Sequence, residues 1–344
     1  MSQNPLESVS KYDGWQKLIK QYQQPNTKKA VWQMINSFGG FVLGWVLMYF
    51  SLRVGYWLTL LLSIPTAGFL IRIFIIQHDC GHNSFLNTTK ANNWVGMASG
   101  ILTFTPYNAW RKEHAVHHKS HAELEERGVG DIWTLTVDEY QAASWLKKAG
   151  YRIFRNPFFL FVIGAPIHFI ILQRIPSKTA NQSRNGEVIS VHLTNLALVI
   201  LFGGLGLILG FGGMLMVQLP ITIIAAAIGT WLFYVQHQFE HTYWEHTPEW
   251  NYVLAAMHGS SYYKLPKVLQ WFTGNIGFHH IHHLSPRIPN YNLEACHNEN
   301  EIFQQVTQLT IWESFKTASL TLWDENKQRL VTFREARTMA TTAV

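Results

Sequence analysis

Charge and cysteine are both scarce in this chain, and each shortage excludes something. Only 14% of its 344 residues are charged and two are cysteines. Cys80 and Cys296 lie far apart and no CxxC pair occurs, so no disulfide framework is implied. HExxH is missing, which removes the commonest zinc-peptidase signature. The opening segment MSQNPLESVSKYDGWQKLIK has no apolar core of the signal-peptide kind and is expected to stay cytoplasmic. No internal repeat, low-complexity tract or second domain stands out.

What the chain has instead is long windows with almost no charge, the mark of a membrane protein. Ala30 to Phe50 is uncharged, and a helix of about 20 residues crosses the hydrocarbon core at roughly 1.5 Å per residue. After the short turn SLRVG, Tyr56 to Ile76 returns, with Arg72 near its end where the long stem can carry the charge to the interface. Residues 94–106 are too short to cross and are expected to lie at the interface, as is the apolar island at 158–173. A second hairpin is expected from Leu193 to Val217 and from Ile221 to Val235, divided at Gln218 and Pro220. Its glycines would let helices approach closely.

The charges that remain give the orientation. Residues 1–29 carry five Lys or Arg, residues 77–192 twelve and residues 237–344 eight, while the opposite loops share only Arg53. Positive charge gathers on the cytoplasmic side. Two hairpins therefore put both termini in the cytoplasm, and the +6 formal charge is expected to serve anionic lipid, with no nucleic-acid partner. The expected architecture is an all-α membrane protein: four transmembrane helices as two hairpins, interfacial helices and a cytoplasmic cap. Residues 1–29 form an N-terminal segment, 30–295 the membrane domain and 296–344 a C-terminal tail.

Histidine is grouped on the cytoplasmic side. His78 and His82 stand four apart in HDCGH, and the pattern H-x-x-H-H occurs twice, at His114, His117, His118 and at His279, His282, His283. Residues three and four apart on a helix share a face, so each group can aim its ring nitrogens at one point. His237 and His241, in QHQFEH at the end of the fourth span, have the same spacing. Ten candidates suffice for two metal ions with positions left open, since a catalytic zinc takes about three protein ligands. Imidazole suits iron, zinc, copper and nickel alike. His237 to His241 also fits HxxEH, with Glu240 as a peptidase base, but that reading leaves eight clustered histidines without a role. Asp79, Glu113, Asp131, Glu240 and Asn275 are candidates to orient ligands through their second nitrogen. His168 and His192 read as structural or interfacial, and His121, His246, His258, His280 and His297 have a structural default, with His280 and His121 the first exceptions to it.

HDCGH, HAVHH and HHIHH, in this order with hairpins between, resemble the three histidine boxes of integral-membrane fatty acyl desaturases over residues 30–295. The flanks LTVDEY and HHLSPRIPNYNL look most like the acyl-lipid Δ12/ω-6 branch and its bacterial relatives. The resemblance implies a non-haem di-iron centre held by His78, His82, His114, His117, His118, His279, His282 and His283, with one further ligand from His237 or His241. It also implies O2 as co-substrate, a lipid acyl chain as substrate, and a cis double bond as product. With no haem-binding cytochrome b5 motif in the chain, electrons would come from a separate donor of ferredoxin or cytochrome b5 type. A membrane hydroxylase of alkanes, sterols or carotenoids shares the boxes. A metal transporter or sensor is the reading from another class, and it requires ligands near the bilayer midplane.

Overall fold

The second apolar run becomes the helix about which the others are arranged. The computed structural model describes residues 10–128, 130–177 and 186–342; residues 1–9 of the N-terminal segment and 178–185 of the polar stretch lie outside them. Helix α1 covers Thr27–Ser51 and α2 covers Tyr56–Gly81. The side chain of Asn26 caps α1 by accepting from the Lys29 amide, which fixes where the first span begins. In α2, 61% of the most apolar stretch is buried, against 22–33% in the other three spans. Its polar residues do not interrupt it, because Ser63 and Thr66 return their hydroxyls to the carbonyls of Leu60 and Leu62 at 2.6 and 2.7 Å.

Two shorter helices follow, α3 over Thr89–Leu102 and α4 over Tyr107–Ser120. Each has 14 residues, about 21 Å of helix, too little to cross a bilayer. Helix α5, Trp145–Phe154, leads into a helical segment, Phe158–Arg174, that is bent from it by 69°. Trp145, Leu146 and Ile153 are exposed on α5 beside Lys147 and Lys148, the distribution of a helix lying in an interface.

Helices α6, Gly186–Leu209, and α7, Phe211–His237, complete four helices long and apolar enough to cross a membrane, or five if the bent pair also crosses. The chain is thus a multi-pass, mainly helical membrane protein. The turn of the second hairpin differs from the sequence expectation. It falls at Gly210, whose φ of 85° suits a residue without Cβ, and Gln218 and Pro220 lie inside α7. Gln218 is no turn signal because it is satisfied within the bundle: it accepts from Trp45 Nε1 at 3.1 Å and donates to Thr222 Oγ1 at 2.9 Å. Membrane helices tolerate proline when neighbours compensate in this way.

One end of the bundle carries the cap. Short helices are joined there by five short strands: β1 (Leu135–Thr136), β2 (Tyr262–Lys264), β3 (Gln308–Thr310), β4 (Leu322–Asp324) and β5 (Arg329–Val331). Strand β4 pairs parallel with β1 and antiparallel with β5, and β2 pairs parallel with β3. Residues beyond 296, expected as a tail, are woven into this cap, with Phe303 and Trp323 fully buried. The N-terminal segment joins it too: the Tyr22 hydroxyl donates to Glu299 at 2.5 Å and Gln23 donates to Ser285 at 3.0 Å.

Where α1 crosses α2, small residues set the distance between them. A Cβ at Gly44 would fall on the side chain of Thr66, whereas one at Gly39 meets nothing within 4 Å. Gly44→Leu is expected to destabilise the bundle by about 1–3 kcal/mol through overpacking. Gly39→Leu should leave the thermal midpoint in detergent unchanged, and equal midpoints for the two variants would show that this crossing is loose.

Candidate metal centre

Two short helices and two span ends bring nine histidines together. His78 lies in the last turn of α2 and His82 caps it, so the pair stays one helical turn apart on one face. Helix α4 carries His114, His117 and His118. Helix α8, His279–Leu284, is buried along its whole length and carries His279, His282 and His283. His237 is the last residue of α7.

The rings form two adjoining constellations. Ligand nitrogens of His78, His82, His114, His118 and His282 lie within 4.8 Å of one another, and those of His117, His237 and His283 do the same. His279 joins the second, its Nε2 standing 3.0 Å from that of His237 and 3.2 Å from that of His283. The rings of His118 and His283 stack with centroids 4.3 Å apart, so the two constellations share a wall.

The spacing of nitrogens tests whether metal fits. His118 Nε2 is 3.1 Å from His114 Nε2 and 3.0 Å from His282 Nε2. One imidazole nitrogen offers either a proton or a lone pair, so three converging nitrogens cannot all satisfy each other. A metal ion about 2.0–2.1 Å from each nitrogen puts neighbouring ligands roughly 3 Å apart, the separation found. Nε2 of His82 and of His117 is buried without any hydrogen-bond partner, which leaves its lone pair available to a metal ion. The residues fit a pair of metal ions.

Electrostatics point the same way. Burial, and then the neighbouring imidazoles, hold His82, His114, His118, His279, His282 and His283 well below the ordinary histidine pKa. These rings are neutral at physiological pH and keep a lone pair to give. Two carboxylates fix which nitrogen that is. His78 Nδ1 faces Asp79 Oδ1 at 3.2 Å and His117 Nδ1 faces Asp131 Oδ1 at 2.7 Å, so each δ nitrogen donates outward and each ε nitrogen turns inward. Asp79 is itself held by the Asn290 amide N–H at 2.6 Å and side-chain Nδ2 at 2.7 Å.

Other sequence candidates lie elsewhere. His241 is exposed and belongs to neither constellation, because α7 stops at His237 and the four-residue spacing loses its helical meaning. The same stop separates Glu240 from His237, and Glu240 accepts from Arg329 at 2.7 Å, which leaves the HxxEH reading without a site. Glu113 accepts from Ser177, and Asn275 donates to the Asn290 carbonyl. His280 donates to the Phe303 carbonyl outside the centre.

His121, named with His280 as an exception to the structural default, lies beside the centre. Its Nε2 donates to the Gly259 carbonyl at 2.9 Å, and its ring lies 4.3 Å from that of His237. Two aromatic walls were not anticipated: Trp110 stacks on His114 at 4.6 Å, and Phe233 contacts the rings of His117 and His237 at 5.2 and 4.8 Å. Their signal was the four-residue spacing from Trp110 to His114 and from Phe233 to His237.

With this geometry in place, similarity to known proteins becomes informative. A family model described as fatty acid desaturase matches residues 55–314, a range that holds all nine histidines. The chain belongs to the fatty acid desaturase family. A Bacillus subtilis protein named fatty acid desaturase is 48% identical over 92% of this chain and 90% of its own length. An sn-1 oleoyl-lipid 12-desaturase of Synechocystis is 25% identical over 85% of this chain and 82% of its own, and one of Anabaena variabilis is 27% identical over 82% and 79%. As a fatty acyl desaturase the chain is an oxidoreductase, and ring nitrogens gathered at span ends are the wrong placement for the transporter reading.

The assignment of ligands is open to direct measurement. His237→Ala should lower the metal bound by purified protein while His241→Ala leaves it unchanged; the reverse pattern would reassign the ligand. Asp131→Asn is expected to weaken retention of one ion by about tenfold or more, because an amide no longer fixes the His117 tautomer.

Proposed function

We propose that this desaturase is of the Δ12/ω-6 type and inserts a cis double bond into the acyl chain of a membrane lipid, using O2 and two electrons from a separate ferredoxin or cytochrome b5 type donor. The observation that carries this reading is the pairing of two all-imidazole constellations at one end of a bundle of membrane spans. The Δ12 assignment is supported by the flanks LTVDEY and HHLSPRIPNYNL and by relatives named as 12-desaturases.

The chemistry requires an oxidant, since an unactivated methylene offers no acidic proton for a base to remove. Two iron ions held there would supply the oxidising power, with O2 and two electrons, for the removal of two hydrogens from adjacent carbons, water being the other product. His78, His82, His114, His118 and His282 would hold one ion, and His117, His237, His279 and His283 the other. Asp79 and Asp131 keep the ε nitrogens of His78 and His117 directed inward. Trp110 and Phe233 back the ligand rings with apolar surface, which limits their rotation and keeps water away. Residues of the spans and of the stretch 262–272 are the proposed walls that hold one carbon pair against the centre, and that placement determines the position of the double bond. The Lys and Arg distribution supports a centre on the cytoplasmic face, where a soluble donor has access.

Expression in a host without polyunsaturated lipids, followed by gas chromatography of its fatty acids, tests the proposal. A new diunsaturated acid with its second bond at carbon 12 is the expected product, and His117→Ala or His282→Ala should abolish it. A bond at another carbon would overturn the Δ12 assignment, and a hydroxylated acid would move the chain to the hydroxylase reading.

A further inference from the structure

Arg155 closes α5 and is 3% exposed, yet among the described residues no carboxylate comes within ion-pair distance of it. A buried charge of this kind must be met by neutral acceptors. Nη1 donates to the Trp133 carbonyl at 3.1 Å and to Thr134 Oγ1 at 3.0 Å. Nη2 donates to the Tyr234 hydroxyl at 3.1 Å, to Gln238 Oε1 at 3.0 Å and to the Leu320 carbonyl at 2.7 Å. The acceptors come from three separate segments, and two of them border the metal centre. Trp133 and Thr134 follow Asp131, the partner of His117, and Tyr234 and Gln238 bracket His237. Thr134 and Gln238 also touch each other at 3.3 Å, so the guanidinium sits over the junction of the two.

We infer that Arg155 is a positioning residue for the second constellation, locking the Asp131 loop to the His237 end of α7 so that His117 and His237 converge on one ion. The inference rests on the two-ion reading above. It gives Arg155 no contact with substrate or metal, and it makes its effect selective: the constellation built on α2, α4 and α8 uses none of the segments that Arg155 joins. Lysine is a poor replacement, because a point charge does not reproduce a planar fork serving acceptors on both sides.

Iron-loaded protein purified in detergent, challenged with a chelator and followed by metal analysis, tests this. The unsubstituted chain should hold two ions. In Arg155→Gln and Arg155→Lys one ion should leave about tenfold faster or more, in line with other outer-sphere changes, and the second at its usual rate. Arg152→Gln, one turn away on the same helix and bonded to the Tyr140 hydroxyl, should change neither rate. If Arg155→Gln does not fold, Gln238→Leu removes one of the acceptors and should show the same selectivity. Two unchanged rates with a lowered thermal midpoint, or two rates raised equally, would reduce Arg155 to a packing role and overturn the inference. Fewer than two ions in the unsubstituted protein would instead overturn the two-ion reading, and the inference with it.

Discussion

Nitrogen facing nitrogen is the constraint on which this molecule depends. Nine imidazoles packed together can be neither all protonated, because desolvation and mutual repulsion oppose it, nor satisfied as a hydrogen-bonded set, because several nitrogens converge on one another and a nitrogen gives either a proton or a lone pair. The fold holds them in that arrangement by force of everything around it: spans whose last turns carry His78 and His237, a helix buried along its length at His279–Leu284, and carboxylates that fix individual rings. A cation that accepted the lone pairs would satisfy them, and its uptake would then be linked to the stability of the cap.

The division of labour between bundle and cap follows from the solvent each one meets. In the spans, several polar side chains are satisfied by a turn of their own helix or by a neighbouring span, as with Thr66 and Gln218. In the cap, hydrogen bonds run between segments far apart in sequence, such as Asn290 to Asp79 and Tyr22 to Glu299. The bundle therefore supplies depth and direction, and the cap supplies the angular precision that ligand geometry needs.

Much of this was legible in the sequence, and the failures have physical causes. The spans were visible as charge-free runs, and eight of the nine converging histidines were visible as spaced groups. Gln218 with Pro220 looked like a turn because a polar residue beside proline usually is one; only the partners Trp45 and Thr222 reveal otherwise. His237 and His241 could not be ranked, since the choice depends on where α7 unwinds. The role of residues beyond 296 was hidden because strands of three residues have too little pattern to be seen. His121 was ambiguous because its meaning depends on the Gly259 carbonyl, a group distant in sequence.

The pairing of β1 with β4 has a consequence for biosynthesis. Leu135 and Leu322 face each other across that ladder, and the whole second hairpin lies between them in the chain. While a ribosome is still translating the last span, β1 has no partner strand. Closure of this ladder therefore comes after both helices of the second hairpin have been made, which puts assembly of this part of the cap behind assembly of the bundle.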